Sequence, residues 1–183
     1  MSTLTGTLAL VALLTLPSSA SAKIYHSKQG ALKLAFPRAT RIASKNIFLN
    51  GADVARIKKL CGEAPASKLI RTYVGFNGKT ITGYALIETF VVRTLPATMM
   101  FVLDPKGSIS AIHVLAFHEP LEYQPPKRWL AQFKKKNKPA QTVLGRHVAG
   151  IAGSTLSAQA VSKRARLAMT ITRVAIVEKS SGK

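Results

Sequence analysis

LIRTYVGFNGKTITGYALIETFVVR, residues 69–93, decides the fold. Two runs rich in β-branched and aromatic residues, Leu69–Phe76 and Thr80–Arg93, flank Asn77-Gly78. That dipeptide suits a two-residue hairpin, because both central residues of the favoured turn need positive φ. Gly83 inside the second run marks a bulge. Working outward, Thr98–Leu103 and Ile109–Phe117 read as two further strands, joined by the turn Asp104-Pro105-Lys106-Gly107. The result is an antiparallel meander that needs a cover on one face. Upstream, residues 29–36 form a short helix with Ala31, Leu34 and Ala35 inward, stopped by Pro37. A second helix is capped by Asn50 or Gly51. It has Asp53 in its first turn, Lys58 and Lys59 in its last, Gly62 beyond, and Val54, Ile57, Leu60 and Cys61 at helical spacing. Downstream, residues 118–133 are a three-proline loop leading into a short helix. Lys134–Lys138 is basic, Gly145–Ser157 is small and polar, and Ala158–Met169 reads as a helix. Residues 170–177 suit a strand as well as a helix, being rich in Thr, Ile and Val. The expected fold class is α+β, an antiparallel sheet of about four or more strands packed against helices in a single domain.

The first 22 residues read as a secretory signal. Leu8–Leu16 is an apolar run too short to span a bilayer, followed by Pro17, small residues and the A-x-A pattern Ala20-Ser21-Ala22. The expected domain is 23–183, exported to the periplasm or the outer face of the cytoplasmic membrane. The 27 Lys and Arg against 7 Asp and Glu give a net charge of +20. Such a balance fits an acidic protein partner or an anionic membrane surface. Lys127, Arg128, Lys134, Lys135, Lys136 and Lys138 form one basic cluster and Lys163, Arg164, Arg166 and Arg173 another; the Lys134–Lys138 run has no interleaved aromatics, which argues against single-stranded nucleic acid. Cys61 is the single cysteine. It excludes an internal disulfide and reads as a buried small hydrophobe near a helix end. No C-x-x-C-H is present, so no attached c-type haem is signalled.

Chemistry concentrates in Gly150-Ile151-Ala152-Gly153-Ser154-Thr155-Leu156-Ser157. Small residues allow close backbone approach, and hydroxyls precede a helix whose first N–H groups are free and whose dipole end is positive. A phosphate on or beside one of these hydroxyls is favoured there. The plainer alternative is an N-cap by Ser154, Thr155 or Ser157. His113, His118 and Glu119 match no metal-binding spacing; His113 is expected to face solvent or pair across the sheet, and His118 with Glu119 to fix the loop. Trp129, Tyr123 and Phe133 either stack on a ligand or pin a helix to the sheet. His147 near Ser154 lacks a carboxylate partner and a nucleophile-elbow context, so no catalytic constellation is assigned.

The segment resembles the threonine flavinylation motif of the FMN-binding domain family, roughly Asp-x-x-Ser/Thr/Ala-Gly-Ala-Thr-Ser/Thr. That family includes the flavin-bearing subunits of sodium-pumping NADH:quinone reductases and Rnf complexes, and many small exported proteins. Gly153 and Thr155 match the fixed Gly and the acceptor Thr, Ala152 an allowed position, and Ser154 replaces Ala. Leu156 sits where Ser or Thr is frequent, with Ser157 next, and Ala149 occupies the acidic position. The likeness extends along the chain. Residues 31–42 (ALKLAFPRATRI) resemble the family's opening helix. Gly83-Tyr84-Ala85 and Val91-Val92-Arg93-Thr94 resemble its central strands, Asp104–Gly107 its hairpin, and Phe117–Tyr123 with Arg128–Phe133 its loop and following helix.

The resemblance implies FMN joined covalently through its phosphate to Thr155 by a flavin transferase, with Gly153, Ser154, Leu156 and Ser157 forming the site. It implies electron relay between redox partner proteins, acidic ones given the charge, rather than catalysis of its own. No metal is implied. Positive charge near the flavin N1 and C2 carbonyl favours anionic reduced forms, and Arg146 and Lys163 flank the motif. Ala149 keeps a rival reading open: a basic surface- or partner-binding protein of the same fold that has lost its flavin.

Overall fold

A computed structural model describes residues 23–181. The expected signal segment, residues 1–22, lies outside the described residues. The Asn77-Gly78 turn joins β3 (Leu69–Asn77) to β4 (Thr80–Val91), with Gly78 at φ 60°. β5 (Pro96–Leu103) and β6 (Ile109–Phe117) continue the meander. Two strands extend it. β1 (Lys23–Ile24) pairs with β6, and β2 (Arg41–Phe48) pairs with β3, giving the antiparallel order β1-β6-β5-β4-β3-β2. Gly83 does sit at an irregularity: Gly75 faces Gly83 while Phe76 faces Ile81, so Thr82 is extra. A Cβ on Gly83 would stand 2.5 Å from the Leu103 carbonyl oxygen, and one on Gly75 2.6 Å from the Phe36 ring. The two glycines give the neighbouring strand and Phe36 room to approach.

α1 (Lys28–Ala35) is capped by the Ser27 hydroxyl, which accepts from the Gly30 N–H. It ends before Pro37, and Arg41 and Ile42 already belong to β2. The helix read over residues 29–36 and stopped by Pro37 is present one residue earlier at each end, whereas residues 31–42, which resemble the family's opening helix, run on past it into an edge strand. α2 (Gly51–Cys61) carries a reciprocal capping box. The Asn50 side chain accepts from the Asp53 N–H at 2.8 Å, and the Asp53 carboxylate accepts from the Asn50 N–H at 3.0 Å. Gly62 closes α2 in the left-handed conformation.

α4 (Thr155–Thr172) begins three residues before the sequence-based start at Ala158. It packs across one face of the sheet. Val161, Ala165 and Ala168 join Leu86, Met99, Phe101, Leu103, Ile112 and Phe117 in the main core, with Ile57 and Cys61 of α2. The ambiguous residues 170–177 are helical: they finish α4 and form one wide turn, Arg173–Val177, leading into α5 (Glu178–Ser181). Thr170 and Thr172 fit this because their hydroxyls donate back to the Arg166 and Ala168 carbonyls, at 2.8 and 2.9 Å. On the opposite face, Ala31, Leu32 and Phe36 pack on Tyr73, Ala85, Met100, Val102 and Leu115. The 118–133 loop holds a short turn of helix at Leu121–Tyr123, and α3 (Lys127–Leu130) runs on into Ala131–Phe133.

Candidate functional site

The first turn of α4 is open. Ser154 occupies the N-cap position but does not cap; its hydroxyl donates instead to the Glu122 carbonyl at 3.1 Å. The first helical backbone bond is Ala158 N–H to Ser154 O. The N–H groups of Thr155, Leu156 and Ser157 thus have no acceptor among the described residues, and no acidic side chain stands in this turn. An 18-residue helix therefore shows a bare positive end. Thr155 is its first residue and is exposed, so its hydroxyl is already within the helix rather than just before it. Ser157 is fully buried and its hydroxyl has no partner among the described residues. Gly153 takes φ 75°, a conformation only glycine adopts without strain, and it sets the entry into the helix.

Two shallow clefts adjoin this turn. One, about 470 Å³, is lined by Arg128, Trp129, Gln132, Gly150, Ile151 and Ala152. The other, about 270 Å³, is lined by Phe90, Leu156, Gln159, Lys163 and Arg164 among others. Trp129 shapes the first. It is buried, edge-on to Phe133 with ring centres 5.3 Å apart, and its indole N–H donates to the Ala149 carbonyl at 2.7 Å. The Ala149 N–H donates to the Gln132 side chain at 2.9 Å. Trp129 and Phe133 therefore pin the 127–133 helix to the core, and Trp129 also fixes the chain entering the glycine-rich segment. Tyr123 is half-buried under the Arg93 guanidinium, 3.8 Å from its ring centre, which leaves it little freedom to stack on a ligand. Lys163 lines the second cleft, whereas Arg146 is exposed in the turn between Val143 and Val148 and lines neither.

Most acidic residues are spent on the fold. Glu119, buried beside the motif's supporting loop, accepts from three successive N–H groups: Arg93 at 3.0 Å, Thr94 at 2.6 Å and Leu95 at 2.8 Å. Burial pushes its carboxyl up, but these bonds and the Arg93 charge together hold it below the ordinary range. This is how Glu119 fixes the loop. The His118 N–H adds a bond to the Pro96 carbonyl at 3.2 Å. His113, opposite Met100 in the sheet, is half-buried, and burial, with His26 and Lys127, lowers its pKa. Asp53 binds Lys179 at 2.6 Å, Glu63 binds Arg164 at 2.8 Å, and Glu178 binds Arg56 at 2.7 Å. Asp104 accepts from the Lys106 and Ser108 N–H groups in its own turn. Glu88 differs. It lines a third cleft of about 340 Å³ against α4, and burial pushes its carboxyl up to about 7, opposed by Arg164 and reinforced by Glu63. Cys61 is buried, donates to the Glu63 carbonyl at 3.1 Å, and burial raises its pKa, all of which keep it unreactive.

Sequence reasoning singled out Gly150–Ser157 but missed Arg128, Gln132 and Gln159 as cleft residues and Glu88 as a perturbed carboxyl. Helical spacing of Leu156, Gln159 and Lys163 was the available signal for one cleft. Glu88 gave none, being one polar residue in a strand of mixed character. The chain matches no family model and no curated protein.

Proposed function

We propose that this protein is an exported electron carrier with FMN esterified through its phosphate to Thr155. The observation that carries the reading is the uncapped end of α4, with an exposed threonine hydroxyl beside three N–H groups that lack acceptors. The phosphodiester so formed keeps one negative charge and two free oxygens, which satisfy those donors and the helix dipole together, and the fit is stronger because Ser154, the residue placed to cap them, is engaged elsewhere. Gly153, Ser154, Leu156 and Ser157 hold the turn in shape. The clefts beside it offer Arg128 on one side and Lys163 on the other, cations that stabilise negative charge placed between them. FMN, when bound, supplies one- and two-electron chemistry, and the protein supplies attachment, orientation and field.

The partners follow from the same reading: a flavin transferase, and redox proteins whose acidic surfaces the +20 charge steers. Ala149 bears on the first. Its backbone is held from both sides by Trp129 and Gln132 while its side chain is exposed. The side chain at this position is thus available to another protein and is not needed by the fold. Alanine there alters what a transferase reads without altering the site. The alternative, a flavin-free basic binding protein, rests on that one position.

The test is co-expression of wild type and Thr155→Val with a flavin transferase, followed by a denaturing gel. Flavin fluorescence on the wild-type band and none on the variant supports the ester. Fluorescence that survives in Thr155→Val moves the attachment elsewhere, and a dark wild-type band favours the flavin-free reading.

A further inference from the structure

Independently of the flavin, we infer that the outer face of the sheet, the side carrying α1, docks onto an anionic lipid bilayer. α1 is only eight residues long and covers the sheet's middle. On either side of it lies an open trough of about 580 Å³. One runs over Tyr73, Ile87, Thr98 and Leu115; the other runs over Ala111 and His113 and round β6 to α3, past Val114 and Leu130 of the main core. The cations Lys28 and Arg71 line the first, Lys127 and Lys134 the second, and His26 lines both.

Four of the eight large apolar side chains exposed among the described residues stand around these troughs: Ile24 at 74%, Phe48 at 68%, Leu69 at 56% and Leu34 at 50%. The register places Phe48 opposite Leu69 and Asn46 opposite Arg71. Leu69, Arg71 and Tyr73 alternate onto one side of β3, so Phe48 shares the face of the core residue Tyr73. Ile24 and Leu34 line the troughs directly. These exposed apolar side chains stand beside the cations that line the troughs.

Charge selects the partner. No Asp or Glu lines either trough. Five of the seven acidic residues are engaged elsewhere: Asp53, Glu63, Asp104, Glu119 and Glu178 in the contacts given above. Glu88 faces α4, and Glu122 is in the short helix of the 118–133 loop. The face thus offers apolar and cationic groups with no negative charge. Its apolar groups sit at the ends of four separate elements rather than in one fitted pocket. A fluid anionic surface meets these terms: the apolar side chains enter the headgroup–acyl boundary while Lys and Arg stems reach phosphate.

The test is flotation of the purified exported protein with vesicles of phosphatidylcholine alone and of equimolar phosphatidylcholine and phosphatidylglycerol. The expected result is capture by the anionic vesicles only, weakened roughly tenfold or more by Ile24→Glu with Leu69→Glu. The exposed control pair Lys58→Glu with Lys59→Glu on α2 changes net charge further but is expected to weaken binding less. Unaltered circular dichroism checks that each pair folds. Three outcomes overturn the proposal: no capture at low salt, a larger loss from the α2 pair than from the face pair, or a dimer that Leu69→Glu dissolves while vesicles bind nothing. The last would assign the face to a second copy of the chain.

Discussion

The side of the sheet under α4 and the side under α1 display alternate residues of the same strands, yet they are finished in opposite ways. Under α4, Phe101, Leu103 and Phe117 are fully buried, Glu63 and Asp53 are paired, and the first turn of the helix is left uncapped. Under α1, the core is small, apolar side chains reach solvent, and the charge is all of one sign. One side is mostly filled and leaves a bare helix end suited to a phosphate; the other is open over an area suited to a surface. Where a fold leaves groups unsatisfied, and of what kind, is a better guide to function here than its class.

The sharpest way to break this comparison is to shorten one leucine on each side. Leu167→Ala removes a buried side chain on α4 and is expected to cost about 2–5 kcal/mol in urea denaturation. Leu69→Ala on the open face is expected to change stability by less than about 0.5 kcal/mol. Equal costs would mean the outer face is packed after all.

Two carboxylates, Glu119 and Glu88, sharpen it further, because they predict opposite pH dependence. Glu119 is held below the ordinary range, so its stabilisation is present above its unfolded pKa and is lost as pH falls through the lower folded value. Glu119→Ala removes the acceptor of three N–H groups and is expected to cost about 2–4 kcal/mol near neutrality, the gap from wild type narrowing in acid. Glu88 is raised from 4.5 to about 7, so the folded state holds a proton that the unfolded state has released across that window. Stability contributed at this position falls as pH rises from about 4.5 to about 7 and is then flat. Glu88→Gln is expected to stabilise the protein by about 1–2 kcal/mol above neutrality and to remove that slope. Thermal melts across pH read both, and a Glu88→Gln variant less stable than wild type at pH 8 contradicts the burial account.

The meander was legible because its signals are local: Asn77-Gly78, the Asp104–Gly107 turn, and the Asn50/Asp53 capping box each act within four residues. β2 was not, since as an edge strand it is mostly exposed and shows no clean alternation of apolar and polar residues. The helical reading of 170–177 depends on threonine hydroxyls bonding back one turn, which propensity counts against. At the site, the motif could be read but its chemistry could not. Whether the first turn is capped depends on Ser154 meeting a carbonyl 32 residues away, and the loop beneath it depends on Glu119 reaching back 24 to 26 residues. Those are tertiary facts that spacing does not encode.

A comparably small effect on stability is expected at Thr155, the proposed attachment residue. Thr155 makes no capping bond, so Thr155→Val is expected to shift unfolding by less than about 0.5 kcal/mol, against about 1 kcal/mol for loss of a working cap. A larger loss would mean the hydroxyl serves the fold. The central claim is tested most directly by the intact mass of the native protein purified from a host with a competent flavin transferase. The account predicts a chain beginning at Lys23 and heavier by one FMN less one water, with the added mass on the peptide containing Thr155. An unmodified mass, or the addition on any other peptide, would contradict it.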